Sequence, residues 1–165
     1  LSEKIETLVC SMEQLPFAEE EYDVFWSEGA IYNMGFEKGL KEWRRFLKPD
    51  GILAVSEITW ITNSRPPELQ EYWEAEYPEI ATASTKIKVL EENGYAPIGY
   101  FVLPESCWLE NYYRPLQEGF PDFLARHEDN EMATSIIDAE KNEIALYKKY
   151  KSCYSYGMYV AQKIG

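Results

Sequence analysis

The sequence has one histidine and three cysteines in 165 residues. Cys10, Cys107 and Cys153 stand far apart and form no metal-ligand cluster with His127. No structural metal is therefore expected, and free thiols point to a reducing, cytoplasmic setting. Positive charge is scarce as well. Sixteen Lys and Arg against twenty-nine Asp and Glu leave a formal charge of −13, which repels a phosphate backbone or an anionic lipid surface. Neither nucleic acid nor membrane is an expected partner. No run approaches the roughly 20 consecutive apolar residues of a membrane helix, and the opening Leu1-Ser2-Glu3-Lys4 lacks the basic and apolar regions of a secretory signal. Internal repeats, low-complexity tracts and evident linkers are also missing, so the length fits one domain.

Large rings, by contrast, are plentiful: five Trp, thirteen Tyr and seven Phe. That load suggests a ring-lined cavity or a surface covered by a partner. The apolar fraction of 45% and charged fraction of 27% are those of a globular chain.

Ile5–Cys10 is β-rich and reads as a strand, followed by a loop through Pro16. Tyr22–Ser27 is a short, nearly continuous apolar run of the kind buried on both faces. Phe36, Leu40, Trp43 and Leu47 then recur at spacings of four, three and four with charged residues between, which predicts an amphipathic helix. A turn at Lys48-Pro49-Asp50-Gly51 leads into a second buried strand, Ile52–Ser56. Strand, helix, turn and strand make a crossover unit, which gives a parallel sheet with ligand sites beyond the carboxyl ends of its strands. Ser27-Glu28-Gly29 and Ser56-Glu57 stand at two such ends. Helices are expected over Glu68–Tyr77 and Ser84–Asn93, the latter closed by Gly94. Pro97–Leu103 and Tyr154–Lys163 read as strands. Between them, Glu105–Tyr150 is helical but interrupted at Pro115, Gly119 and Pro121, with Ile137, Ile144 and Tyr147 on one face of its last piece.

Three stretches together resemble the class I S-adenosylmethionine-dependent methyltransferases, especially the small-molecule branch. They are Ser11-Met12-Glu13-Gln14-Leu15-Pro16-Phe17, Tyr22-Asp23-Val24-Phe25-Trp26-Ser27 and Glu42-Trp43-Arg44-Arg45-Phe46-Leu47-Lys48-Pro49-Asp50-Gly51. In that family an acidic loop runs through Leu-Pro-Phe, then a strand opening Phe/Tyr-Asp, then a helix ending Leu-Lys-Pro-Gly-Gly. The resemblance implies an α/β, Rossmann-like sheet in the order 3-2-1-4-5-7-6, mostly parallel with an antiparallel last strand. This chain then holds strands three to seven as one incomplete domain over residues 1–165, with helical inserts at about 60–82 and 104–152. The first two strands and the glycine-rich cofactor loop are absent from the sequence, which contains no G-x-G pattern. An acidic residue to end the second strand is absent with them.

The resemblance also implies S-adenosyl-L-methionine as cofactor and methyl transfer to a small, apolar or aromatic metabolite. Ser11 stands where an acidic residue of the family receives the adenine amino group, and Met12 beside it offers backbone and an apolar face. Ser27 is the next cofactor contact. Glu28 and Glu57 are the candidate catalytic carboxylates, as orienting groups or proton acceptors, against the plainer reading of carboxylates favourable at helix starts. Tyr32, Trp60, Trp73, Trp108 and Tyr112 are the candidate substrate contacts, with Tyr77 and Tyr113 in the same segments. Rings could stack on a flat substrate or face a sulfonium, or simply pack the core. His127 is expected to be solvated.

The missing strands leave Ile5–Cys10 without a sheet neighbour, so a homo-oligomer or strand-swapped dimer is a further expectation. A different class of function stays open beside the enzyme: a non-catalytic α/β fragment or oligomerisation module whose rings form an interface. A nicotinamide-dependent dehydrogenase shares the parallel sheet but gives Leu-Pro-Phe and Leu-Lys-Pro-Asp-Gly no role.

Overall fold

The computed structural model describes residues 4–128 and 130–165. Its strands are β1 (Tyr22–Ser27), β2 (Leu47–Trp60), β3 (Ala81–Thr82), β4 (Tyr95–Val102) and β5 (Tyr154–Lys163). Its helices are α1 (Phe36–Arg44), α2 (Pro67–Glu76), α3 (Ala83–Glu92), α4 (Glu105–Trp108), α5 (Arg114–Arg126) and α6 (Glu131–Tyr150). A single 3-10 turn at Ile31–Asn33 precedes α1, and a π turn at Leu109–Tyr113 joins α4 to α5.

The strands form one sheet in the order β1-β2-β5-β4, with β3 on β2. β1 runs parallel to β2, with Ser27 opposite Val55, and β3 is also parallel to β2. β5 runs the other way. Its start meets the end of β2, where the Ile61 amide donates to the Cys153 carbonyl, and its end meets the start of β4, where the Ile164 amide donates to the Gly94 carbonyl. Fourth, fifth, seventh and sixth strands of the expected order are therefore present, the last strand antiparallel.

The expected third strand is not. Ile5–Cys10 takes no regular structure and is exposed throughout, Val9 completely. A strand needs a neighbour for its amides and carbonyls, and the described residues supply none there. The same gap corrects the reading of β1 as buried on both faces. β1 is an edge strand, and Val24 and Trp26 on one of its faces are 50% and 62% exposed. The expected turn at Lys48–Gly51 is instead a bulge inside β2. Tyr22 pairs with Leu47 and Val24 with Ile52, and Asp50 takes the left-handed backbone at φ 61° that lets four residues oppose one.

By their contacts the described residues fall into two compact units. The first comprises residues up to Glu57, Ser84–Tyr100 and Met158–Gly165. In it, Phe36, Leu40 and Trp43 of α1 are buried as their spacing predicts. Gly39 lies against Ile31, where an added Cβ would come within 2.5 Å, so only glycine fits that helix position. Lys163 donates to the Leu47 carbonyl at 2.6 Å, and Arg44 donates to the Gly165 carbonyl at 2.7 Å.

The second unit comprises Ile58–Ala83 and Phe101–Gly157. Its core gathers Trp60, Leu69, Trp73, Trp108, Tyr113, Ile144, Tyr147 and Tyr154. α6 starts where Asn130 accepts from the Ala133 amide at 2.9 Å, an N-cap, and it buries Ile137, Ile144 and Tyr147. Pro115, Gly119 and Pro121, expected to break the helical stretch, lie within α5. Pro115 follows directly on the π turn, where the Arg114 amide donates to the Leu109 carbonyl, so the amide it lacks falls at the junction of the two helical pieces. Pro121 costs one helical hydrogen bond on a helix with no fully buried residue, so water can reach the freed carbonyl.

Candidate functional site

The carboxyl end of β1 buries a polar side chain of the first unit. Ser27 is 8% exposed and its hydroxyl makes no hydrogen bond among the described residues. Two residues on, Gly29 takes the left-handed backbone at φ 53°, which turns the chain and aims its amide at the neighbouring strand. The Ser56 Oγ of β2 accepts that amide at 2.8 Å. Ser56 thus fixes the turn that holds Ser27, and it is a residue the sequence reading placed at the strand end without giving it a role. A buried hydroxyl with no partner costs roughly 1–3 kcal/mol.

Glu28 is exposed, and its Oε1 accepts from the Trp26 indole at 2.6 Å. Glu57 has the opposite setting. β2 continues to Trp60, so Glu57 lies inside the strand and not at its end, and none of its side chain is exposed. Lys86 of α3 approaches it, Nζ to Oε1 3.7 Å, and the same ammonium sits 4.4 Å from the Phe36 ring centroid. A fully enclosed carboxylate beside a buried ammonium anchors β2 to α3 within this unit. Lys86 is a residue the sequence reading missed. The available signal was its position four before Leu90, on the buried face of α3, where a cation demands an anion.

Ser11 is exposed, and its oxygens are spent on its own turn: Oγ accepts from the Glu13 amide at 3.3 Å and the carbonyl from the Gln14 amide at 3.0 Å. Met12 is half-buried and its carbonyl accepts from the Trp43 indole at 3.5 Å. Trp43 in turn stacks on Phe25 with centroids 4.9 Å apart. Phe25 and Ser27, two apart in β1, share a face. Met12, Trp43, Phe25 and Ser27 therefore follow one another along that face, whereas Ser11 points its polar atoms into its turn.

The candidate substrate rings divide by burial. Trp60, Trp73 and Trp108 are 4%, 7% and 4% exposed and all pack on Tyr154, at centroid distances of 6.1, 5.3 and 6.1 Å. They are brought together, as core of the second unit. Trp108 also stacks on Tyr147 at 4.5 Å and donates to Ser155 Oγ at 3.0 Å. Tyr112 is half-exposed beside Tyr113, and Tyr32 of the first unit is 45% exposed. His127 is exposed against the Phe123 ring. Burial pushes the Tyr95 and Tyr113 phenols well above the usual range, and Tyr147 to about 12. None of these three phenols ionises near neutral pH. Burial also raises the Glu143 carboxyl, which the Tyr113 hydroxyl partly opposes by donating to it at 2.9 Å.

Among the described residues no group of three or more His, Cys, Asp or Glu is set to hold a metal ion, and no helix is long and apolar enough to cross a membrane. The residues at the β1 end do fit part of S-adenosylmethionine: a partnerless buried hydroxyl at Ser27, a glycine turn that admits close approach, and an apolar face at Met12.

Residues 1–55 match the family model of a methyltransferase domain. No curated protein matches the chain. Among solved structures, the 4+2 cyclase SpnF aligns with a TM-score of 0.74 at 19% identity, over 100% of this chain and 58% of that one. An S-adenosylmethionine-dependent methyltransferase from Geobacter sulfurreducens, in complex with S-adenosyl-L-homocysteine, aligns at 0.72 and 16% identity, over 89% of this chain and 60% of that one. Geranyl diphosphate C-methyltransferase from Streptomyces coelicolor, in complex with Mg2+, geranyl diphosphate and S-adenosyl-L-homocysteine, aligns at 0.60 and 18% identity, over 95% and 52%. The chain thus spans between half and three fifths of the length of these proteins. At such identities the likeness is one of fold. With the match over residues 1–55 and the strand order β1-β2-β5-β4, the chain has the fold of the class I S-adenosylmethionine-dependent methyltransferases.

Proposed function

We propose that the first unit carries part of a site for S-adenosylmethionine, and that the chain serves transfer of a methyl group to a small, apolar or aromatic metabolite. The observation that carries this reading is the buried, partnerless Ser27 hydroxyl at the carboxyl end of β1, held by the Gly29 amide on Ser56. That is the place where sheets of this construction bind ligands. When bound, S-adenosylmethionine supplies an electrophilic methyl group. The chain's own task is to align and to exclude water. Ser27 hydrogen-bonds the polar end of the cofactor, and Met12 lies along its apolar part. Glu28, its carboxylate steadied by Trp26, orients a substrate donor at the open side of the strand end, where Tyr32 offers a ring. Glu57 contributes by holding Lys86 and α3.

Two further observations support reading residues 1–165 as strands four to seven of an incomplete domain. The sequence has no glycine-rich loop, and β1 is left with an open edge and an exposed Val24 and Trp26. That open edge also favours the second reading, a module that assembles through β1. Calorimetric titration with S-adenosylhomocysteine to millimolar concentration separates the two. Saturable heat that Ser27→Ala weakens supports the cofactor site; silence together with concentration-dependent assembly supports the module.

A further inference from the structure

Among the described residues the sheet ends at β4 on the side away from β1. Three contacts with β5 fix which backbone groups of β4 point outward. The Leu103 amide donates to the Tyr156 carbonyl at 2.8 Å, the Tyr100 and Tyr159 ring centroids lie 5.0 Å apart, and a Cβ on Gly99 would stand 3.7 Å from that of Val160. All three fit one antiparallel register, with Leu103 opposite Tyr156, Tyr100 opposite Tyr159 and Gly99 opposite Val160. With the Leu103 amide turned inward, alternation turns the amides and carbonyls of Tyr100 and Val102 outward.

An open edge is a template for another strand, and chains blunt such edges chiefly with charged side chains. β4 is not blunted in that way: residues 93–104 form the longest run in the sequence without a charged side chain. Pro97 interrupts only the first half of the strand. In the second half Ile98, Phe101 and Val102 are 58%, 52% and 39% exposed. In a chain of charge −13, this uncharged edge is where two copies meet with least repulsion.

The edge is also complementary to itself. When two β4 strands pair antiparallel about Tyr100, Ile98 faces the partner's Val102 and Gly99 faces the partner's Phe101. The fold makes no demand for glycine at position 99, since an added Cβ would make only ordinary contact with Val160. Its bare backbone leaves room for a ring from across the strand pair.

We propose that β4 pairs antiparallel with β4 of a second copy, across a twofold axis at Tyr100, joining the two sheets in a homodimer. One short strand from each copy makes a small interface, so the dimer is of the weak, concentration-dependent kind. The proposal depends neither on methyl transfer nor on the open edge of β1.

The test is sedimentation equilibrium of the 165-residue chain. The expected result is a reversible monomer–dimer equilibrium that added salt strengthens, because salt screens the repulsion between copies. Ile98→Lys combined with Val102→Lys sets like charges opposite each other and should weaken the dimer at least tenfold. Ile98→Lys combined with Val102→Glu sets opposite charges there and should bring it back to within threefold of the parent. Val24→Lys, on the edge of β1, should leave it unchanged. All three positions are exposed, so thermal melts should show every variant folded. A chain that stays monomeric at millimolar concentration, association that salt weakens, equal association of the two double variants, or loss of the dimer in Val24→Lys would each overturn the proposal.

Discussion

Lys86 Nζ lies 3.7 Å from Glu57 Oε1 with 3% and 0% of the two side chains exposed. Such a pair gains little over an apolar pair of the same size, but removing one partner takes the nearby opposite charge away from a group that stays buried. Lys86→Met should therefore destabilise the chain by about 3–5 kcal/mol, read from urea unfolding. The double variant Lys86→Met with Glu57→Leu should recover much of that loss. A Lys86→Met variant as stable as the parent would show that the two charges do not depend on each other.

The Glu143 carboxyl gives a pH signature. Burial, its largest influence, raises it above its ordinary value of 4.5 in the folded chain. The folded state therefore holds this proton more tightly than the unfolded state. The resulting stability is fully present below pH 4.5 and is lost as pH rises through the raised value. Glu143→Gln retains an acceptor for the Tyr113 hydroxyl and removes this loss. The difference in urea midpoint between acidic and neutral pH should be smaller in the variant than in the parent. An identical pH dependence in the two proteins contradicts this account of Glu143.

Trp108 distinguishes core from substrate contact. It stacks on Tyr147 and Tyr156 at 4.5 and 5.1 Å and is 4% exposed. Trp108→Ala should cost about 3–5 kcal/mol of stability. Its affinity for S-adenosylhomocysteine, measured where the variant is still folded, should match the parent's.

Helix faces and strands were legible in the residues because they follow from period, whereas the strand order came with the family resemblance: Phe36, Leu40 and Trp43 fall on one helical face, and Tyr22–Ser27 and Tyr154–Lys163 are strands as read. Ile5–Cys10 was not legible, since its β-rich composition says nothing about whether a neighbouring strand exists to pair with it. Val24 and Trp26 mislead for the same reason: an apolar run looks alike whether its second face is covered or bare. At the site, Ser27 could be placed by chain order alone. The enclosure of Glu57 and its approach by Lys86 join residues 29 positions apart, and only the packing of α3 on β2 reveals it.

The most direct test of the central claim uses the five tryptophan indoles as reporters. The Trp43 indole donates to the Met12 carbonyl and the Trp26 indole to Glu28, whereas Trp60, Trp73 and Trp108 belong to the core of the second unit. In a proton–nitrogen NMR titration with S-adenosylhomocysteine, the Trp26 and Trp43 indole signals and the Gly29 amide should move together and saturate, while the other three indoles stay in place. Movement confined to Trp60, Trp73 and Trp108, or no movement at millimolar ligand, would contradict a cofactor site at the end of β1.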